Sequence, residues 1–248
     1  MELKEFFEQY PAVAVACSGG VDSAFLLYQA KRYCEAVRAY FVQSEFQPQF
    51  EREDAEKLCE QFGVPLTVVD VVALSDERIR SNPADRCYYC KKKIFEAIRQ
   101  SAQTDGFSIL LEGTNASDEI SDRPGVRALL EYGVRSPLRE CNYNKERIRR
   151  EAKEAGIFVH DKPSYACLAT RIPSGREITG ELLSRVEQAE NLLFSYGFTD
   201  FRVRIYHGAA RLQIKKEEIP EFLAKREEIT GGLLMYFEDV FLDCRVSR

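Results

Sequence analysis

Residues 18–23 read Ser-Gly-Gly-Val-Asp-Ser and follow directly on an apolar run, AVAVA. Two glycines let a backbone turn sharply and come close to a ligand. A helical pattern, AFLLYQAKRY, resumes at once, so a helix would aim its free N–H groups and positive dipole end at the turn. Ser18 and Ser23 add hydroxyl donors, and the carboxylate of Asp22 is a hard oxygen ligand suited to Mg²⁺. With the backbone of Gly19, Gly20 and Val21, these groups make a cradle for a polyphosphate. The string is not the GxxxxGK[ST] loop, because no lysine follows the glycines. Glycines at an ordinary strand–turn–helix corner are the competing explanation; the full string, placed straight after a strand, favours nucleotide binding.

A second constellation is thiol-based. Cys87-Tyr-Tyr-Cys90 has metal or redox spacing, and Cys167 stands far along the chain in ACLATR. The context of a thioredoxin motif is missing, and a zinc site lacks a second CxxC. Two thiolates from a helix start and one from a distant loop suit a [4Fe–4S] cluster with one iron open; three unrelated thiols is the alternative. Cys17, Cys34, Cys59, Cys141 and Cys244 read as small buried hydrophobes. With His160 and His207 as the only histidines, thiolates, carboxylates and arginines must carry the chemistry. Arg202 and Arg204 lie two apart on a strand and so share one face, where their forks suit a phosphate. Salt bridges to Glu181 or Glu187 on a solvated face are the other reading.

These groups need a scaffold. The chain has 248 residues, 45% of them hydrophobic, enough for one large domain or two modest ones. No apolar run approaches a bilayer span and the N-terminus lacks a signal-peptide core, so a cytoplasmic protein with no membrane partner is expected. A net charge of −5 argues against a large nucleic-acid footprint. Strands are expected at the apolar run before Ser18 and at 36–44, 66–72, 108–111 and 133–138, alternating with helices at 49–61, 83–100 and 144–155. Such alternation implies an α/β fold, a parallel sheet with helices on both faces, and ligands at the carboxyl ends of its strands. The loops at 18–23 and at Gly113, Thr114 and Asn115 would both lie there. Asp118 in the latter loop would assist Mg²⁺, orient the loop or cap a helix. Residues 161–179 are rich in Pro and Gly and read as a long functional loop opening a small C-terminal α+β domain. That domain would hold a helix at 180–196, strands at 201–206 and 211–215, a helix at 220–228 and a strand at 232–243. The domains expected are 1–160 and 161–248.

SGGVDS resembles the PP-loop of the ATP pyrophosphatases, which cleave ATP to AMP and pyrophosphate. Together with NPADRCYYCKKKIF, EGTNASD, RSPL, KPSYACLATRIPSGREIT and FRVRIYHGAARLQI, it resembles the LarE family of ATP-dependent sulfur transferases over nearly the whole chain. The resemblance implies adenylation of a carboxylate of pyridinium-3,5-biscarboxylic acid mononucleotide and its conversion to a thiocarboxylate, in nickel-pincer nucleotide biosynthesis for lactate racemase. ATP and Mg²⁺ are implied as cofactors. Cys167 matches the family's active cysteine, and Cys87 and Cys90 place the chain with the members that carry a [4Fe–4S] cluster. Thr170, Arg171, Arg202 and Arg204 would line the substrate phosphate, and Glu190 matches a family acid near the cysteine. Implied partners are the mononucleotide, other proteins of that pathway, a sulfide or cysteine desulfurase source and further copies in a hexamer. Three alternatives stand: Cys167 giving up its own sulfur, a cluster-dependent tRNA thiolase, and a zinc-stabilised nucleotide-binding module that catalyses nothing.

Overall fold

The structure is a computed structural model and describes residues 2–119 and 124–244. Its elements run α1 (Leu3–Phe7), β1 (Ala12–Ala16), α2 (Val21–Tyr33), β2 (Ala36–Gln43), α3 (Gln49–Phe62), β3 (Leu66–Asp70), α4 (Glu77–Arg80) and α5 (Arg86–Thr104). After β4 (Leu110–Leu111) come α6 (Pro124–Glu131), α7 (Pro137–Glu140), α8 (Lys145–Glu154) and α9 (Gly180–Ser195). The chain finishes with β5 (Phe201–Tyr206), β6 (Ala209–Ile214), α10 (Ile219–Ala224), α11 (Arg226–Leu233) and β7 (Val240–Leu242). Two compact units result: Met1–Ser75 with Asp85–Tyr165, and Asp76–Ala84 with Ala166–Arg248.

The first unit holds a parallel sheet in the order β3-β2-β1-β4. Strand β1 is apolar throughout because both its faces are covered. Val13 and Val15 enter a core shared with Phe7 of α1, Phe25 of α2, Leu58 of α3 and Ile148 of α8. Ala14, between them, enters the opposite core with Tyr40, Phe95 and Ile98. The period-2 alternation of a strand thus divides one sequence run between two cores. With β1 central, its C-terminal end opens at the point where the strand order reverses, the usual place for a ligand in such sheets.

In the second unit β5 and β6 form an antiparallel hairpin, and β7 pairs parallel to β6. Asn82, just after α4, ties its short sequence-distant segment into this unit. Its side chain donates to the Pro173 carbonyl at 2.9 Å, and its own carbonyl accepts from Gly175 N at 2.8 Å.

Three expected elements differ. The strand at 133–138 is reduced to one bridge, Leu111 to Arg135, because Pro137 starts helix α7 two residues later. The helix at 220–228 is two short helices. The strand at 232–243 shrinks to three residues, since Gly232 and Leu233 still belong to α11. Helix α1 was not expected; Glu5 caps it by accepting from Glu2 N at 3.0 Å.

Phe41 is 1% exposed in the core beside α2. We expect Phe41→Ala to cost about 3–5 kcal/mol in urea unfolding; a loss under about 1 kcal/mol would contradict this packing.

Candidate active site

The turn between β1 and α2 is fixed by its own side chains. Ser23 Oγ accepts from Ser18 N at 3.1 Å, lies 3.2 Å from Ser18 Oγ and donates to the Gly20 carbonyl at 3.0 Å. Gly19 adopts φ +75, and a Cβ there would stand 2.5 Å from the Glu51 carbonyl oxygen of α3. Only glycine, with no Cβ, meets both conditions at this position. Gly20 is the N-cap of α2, which puts Val21, Asp22 and Ser23 in the first turn with its outward-facing N–H groups.

The second loop is pressed onto this corner. A Cβ on Gly113 would come within 2.9 Å of Ser23 N. Buried Glu112 accepts from Thr114 N at 3.0 Å and from Thr114 Oγ1 at 2.7 Å, and it also accepts from Ser136 Oγ. Asn115 Oδ1 accepts from Ser117 N at 2.8 Å, while Asp118 Oδ2 accepts from Asn115 N at 3.0 Å. These hydrogen bonds of Thr114 and Asn115 shape the loop, and Asp118 orients it.

Asp22 faces Lys145, the first residue of α8, at 2.5 Å from Oδ2 to Nζ. Its Oδ1 is buried with no hydrogen-bond partner. Burial pushes the Asp22 carboxyl up, and Lys145 partly offsets this. A buried carboxylate oxygen without a donor beside a helix N-terminus suits a divalent cation carrying a polyphosphate. The residues present fit Mg²⁺ and ATP.

In the second unit Cys167 caps a short 3₁₀ turn, Leu168–Arg171. Its carbonyl accepts from Thr170 N at 3.0 Å and from Thr170 Oγ1 at 2.9 Å. Arg171 and Glu190 differ from expectation. Their side chains are 0% and 1% exposed, and they face each other at 2.8 Å. Arg171 Nη1 donates to the Ala166 carbonyl at 3.0 Å and to Thr170 Oγ1 at 2.7 Å. Glu190 Oε1 also accepts from Val203 N of β5 at 2.9 Å. In this structure the pair is closed to a substrate and instead braces the Cys167 turn against β5.

Arg202 and Arg204 do share a face of β5, half-buried. Arg204 donates to Gln213 Oε1 at 2.7 Å and to the Thr170 carbonyl at 2.5 Å. Register places Arg211 of β6 directly opposite Arg204. Burial, and then the charges of Arg171, Arg211 and Arg202, hold Arg204 below the usual guanidinium range. Like charges opposite one another destabilise a sheet, and an anion between them would relieve this. Arg211 was readable in principle. A two-residue turn at His207–Gly208, with His207 at φ 47, fixes 204 against 211.

Cys87 and Cys90 sit near the start of α5, at helical spacing that puts them on one side. Cys87 is exposed, Cys90 and Cys167 half-buried, and all three are thiols. Arg86, not singled out from sequence, places Nη2 3.6 Å from Cys87 Sγ. Cys87 and Cys90 belong to the first unit, Cys167 to the second. Three thiol donors fit an iron–sulfur cluster chemically. Among the described residues, however, no group of three or more His, Cys, Asp or Glu side chains is assembled to hold a metal ion. No helix is long and apolar enough to cross a membrane among those residues.

Comparison with known proteins identifies the family. The queuosine biosynthesis protein QueC family matches residues 12–83, the span of the corner and its flanking strands. A pyridinium-3,5-bisthiocarboxylic acid mononucleotide synthase of Lactiplantibacillus plantarum is 32% identical over 223 residues, covering 89% of this chain and 81% of that protein. The chain belongs to the LarE family. It is an enzyme of the PP-loop superfamily. An uncharacterized protein of Synechocystis sp. is 32% identical over 96% of this chain and 88% of its own length. A tRNA-specific 2-thiouridylase MnmA of Pseudothermotoga lettingae is 27% identical over 66% of this chain and 57% of its own, a more distant PP-loop likeness to the LarE chain.

Removing one partner from a buried ion pair leaves an uncompensated charge. Glu190→Ala should therefore destabilise the second unit by about 3–5 kcal/mol, read by urea unfolding. A change under about 0.5 kcal/mol would mean the pair braces nothing.

Proposed function

We propose that this LarE-family enzyme uses ATP to adenylate a carboxylate of pyridinium-3,5-biscarboxylic acid mononucleotide and then replaces the adenylate with sulfur. The observation that carries the ATP half is the buried, partnerless Oδ1 of Asp22 beside a corner where Gly19 and Gly113 leave no room for a Cβ. The substrate half rests on membership of the family together with the half-buried arginines of β5 and β6.

A carboxylate is a weak electrophile with a poor leaving group. Adenylation converts its departing oxygen into part of AMP. Backbone N–H groups of the α2 first turn hold the phosphates, and the Ser18 and Ser23 hydroxyls, bonded to each other and to the Gly20 carbonyl, fix the turn that presents those donors to the leaving pyrophosphate. Asp22 would hold Mg²⁺, which neutralises phosphate charge when bound. Arg202 and Arg204, with Arg211, take the substrate phosphate by bidentate contacts. Arg171 and Glu190 keep the turn that presents Cys167 in place. Cys87, Cys90 and Cys167 are the residues that would hold a [4Fe–4S] cluster, whose open iron would supply sulfide.

A second reading transfers the sulfur of Cys167 itself, a half-buried thiol at the start of the braced 3₁₀ turn. Iron, zinc and acid-labile sulfide, counted on anaerobically reconstituted protein, separate the two. About four irons with matching sulfide, lost in Cys90→Ser, are expected. No iron, together with loss of one sulfur from Cys167 by mass spectrometry after turnover, would replace the cluster reading with the sacrificial one. In either case Cys167→Ala should release pyrophosphate yet form no thiocarboxylate. Normal thiolation by that variant would remove Cys167 from the chemistry.

A further inference from the structure

The phosphate-binding string of this chain contains no cation, although pyrophosphate departs with a large negative charge. Three cationic side chains of α8 and of the segment after it illustrate what the first unit does with such groups. Arg149 donates to the His160 and Lys162 carbonyls at 3.2 and 2.8 Å. Lys162 is paired with Asp54. Lys145 is paired with Asp22. The first two fasten the segment around residue 160 to α8 and α3. Among the described residues the Lys145 ammonium contacts Asp22, the carboxylate that the ATP reading assigns to the metal.

The backbone of Lys145 is held with care. Its N–H donates to Ser117 Oγ at 3.0 Å, and Ala116 N donates to the Tyr143 carbonyl at 2.8 Å. Asn144 caps α8 by accepting from Arg147 N at 2.8 Å. The loop that carries Gly113 against Ser23 thus also fixes where Lys145 starts its side chain. A flexible four-carbon stem on a fixed Cα lets the ammonium change partners without moving the fold.

We propose that Lys145 is a catalytic residue of the adenylation step, exchanging Asp22 for the polyphosphate when the metal nucleotide binds. A metal ion on Asp22 repels the ammonium from that carboxylate, and the phosphate oxygens are the anions that arrive with it. In the step, a bond forms between the substrate carboxylate oxygen and the α-phosphorus. The bond from the α-phosphorus to the bridging oxygen breaks, and the electron pair leaves on pyrophosphate. Lys145 stays an ammonium throughout and meets the charge that grows on the leaving oxygens. This inference rests on the reading of residues 18–23 as the ATP site.

The test compares wild type with Lys145→Gln and Lys145→Arg. Calorimetry with magnesium and a non-hydrolysable ATP analogue gives affinity, and pyrophosphate release with the mononucleotide gives rate. We expect Lys145→Gln to lose about 100-fold or more in kcat, with Kd for the analogue changed less than about fivefold, and Lys145→Arg to recover part of the rate. Wild-type rates in Lys145→Gln would reduce Lys145 to a structural counter-ion. Equal losses of affinity and rate would make it a uniform binding group, and either result overturns the proposal. If the glutamine variant does not fold, Lys145→Arg with an unchanged melting temperature and no recovered rate advantage over Lys145→Met overturns it too. Wild type that binds no analogue would sink the ATP-site reading, and the inference with it.

Discussion

The corner between β1 and α2 must reverse a buried strand into a helix while leaving a ring of donors facing outward. That requirement propagates through the first unit. Gly19 has to lie against the Glu51 carbonyl, so α3 must pass behind it. Gly113 has to lie against Ser23 N, so the loop after β4 must approach from the other side. Both approaches depend on β1 being central, with Val13 and Val15 in one core and Ala14 in the other. The order β3-β2-β1-β4 gives that position. Lys145 then follows from the corner, because the loop bearing Gly113 also pins the start of α8.

The second unit solves a different problem with the same economy of contacts. The loop carrying Cys167 needs a defined shape without regular secondary structure. Arg171 provides it by joining the Ala166 carbonyl, Thr170 and Glu190, while Glu190 anchors the assembly to Val203 N. Every polar group in a buried network of this kind must be satisfied, which makes the network demanding and its geometry specific. On the adjoining hairpin Arg204 lies opposite Arg211, while Arg211 and Arg202 face Asp243 and Asp200.

Much of this was legible in the residues. The alternation of apolar runs and helical patterns gave the parallel sheet, and SGGVDS gave the corner, because strand, glycine turn and helix start are local signals. The spacing of Arg202 and Arg204 gave a shared face because strands have period 2. The inward turn of Arg171 and Glu190 was not legible. Both are charged, 19 positions apart, and only tertiary packing pairs them. Lys145 carries no local signal that sets it apart, because its partner lies 123 positions away. The C-terminal strand was overdrawn because GGLLMYF is apolar enough to satisfy either a helix end or a strand.

The central claim is that a substrate carboxylate, and not water, attacks the α-phosphorus of ATP at the Asp22 corner. The most direct measurement uses pyridinium-3,5-biscarboxylic acid mononucleotide labelled with ¹⁸O in its carboxylates. After turnover with ATP, the AMP is weighed by mass spectrometry. The account predicts one ¹⁸O in each AMP, since the activated oxygen leaves with it. Unlabelled AMP, or ADP and phosphate in its place, would contradict it.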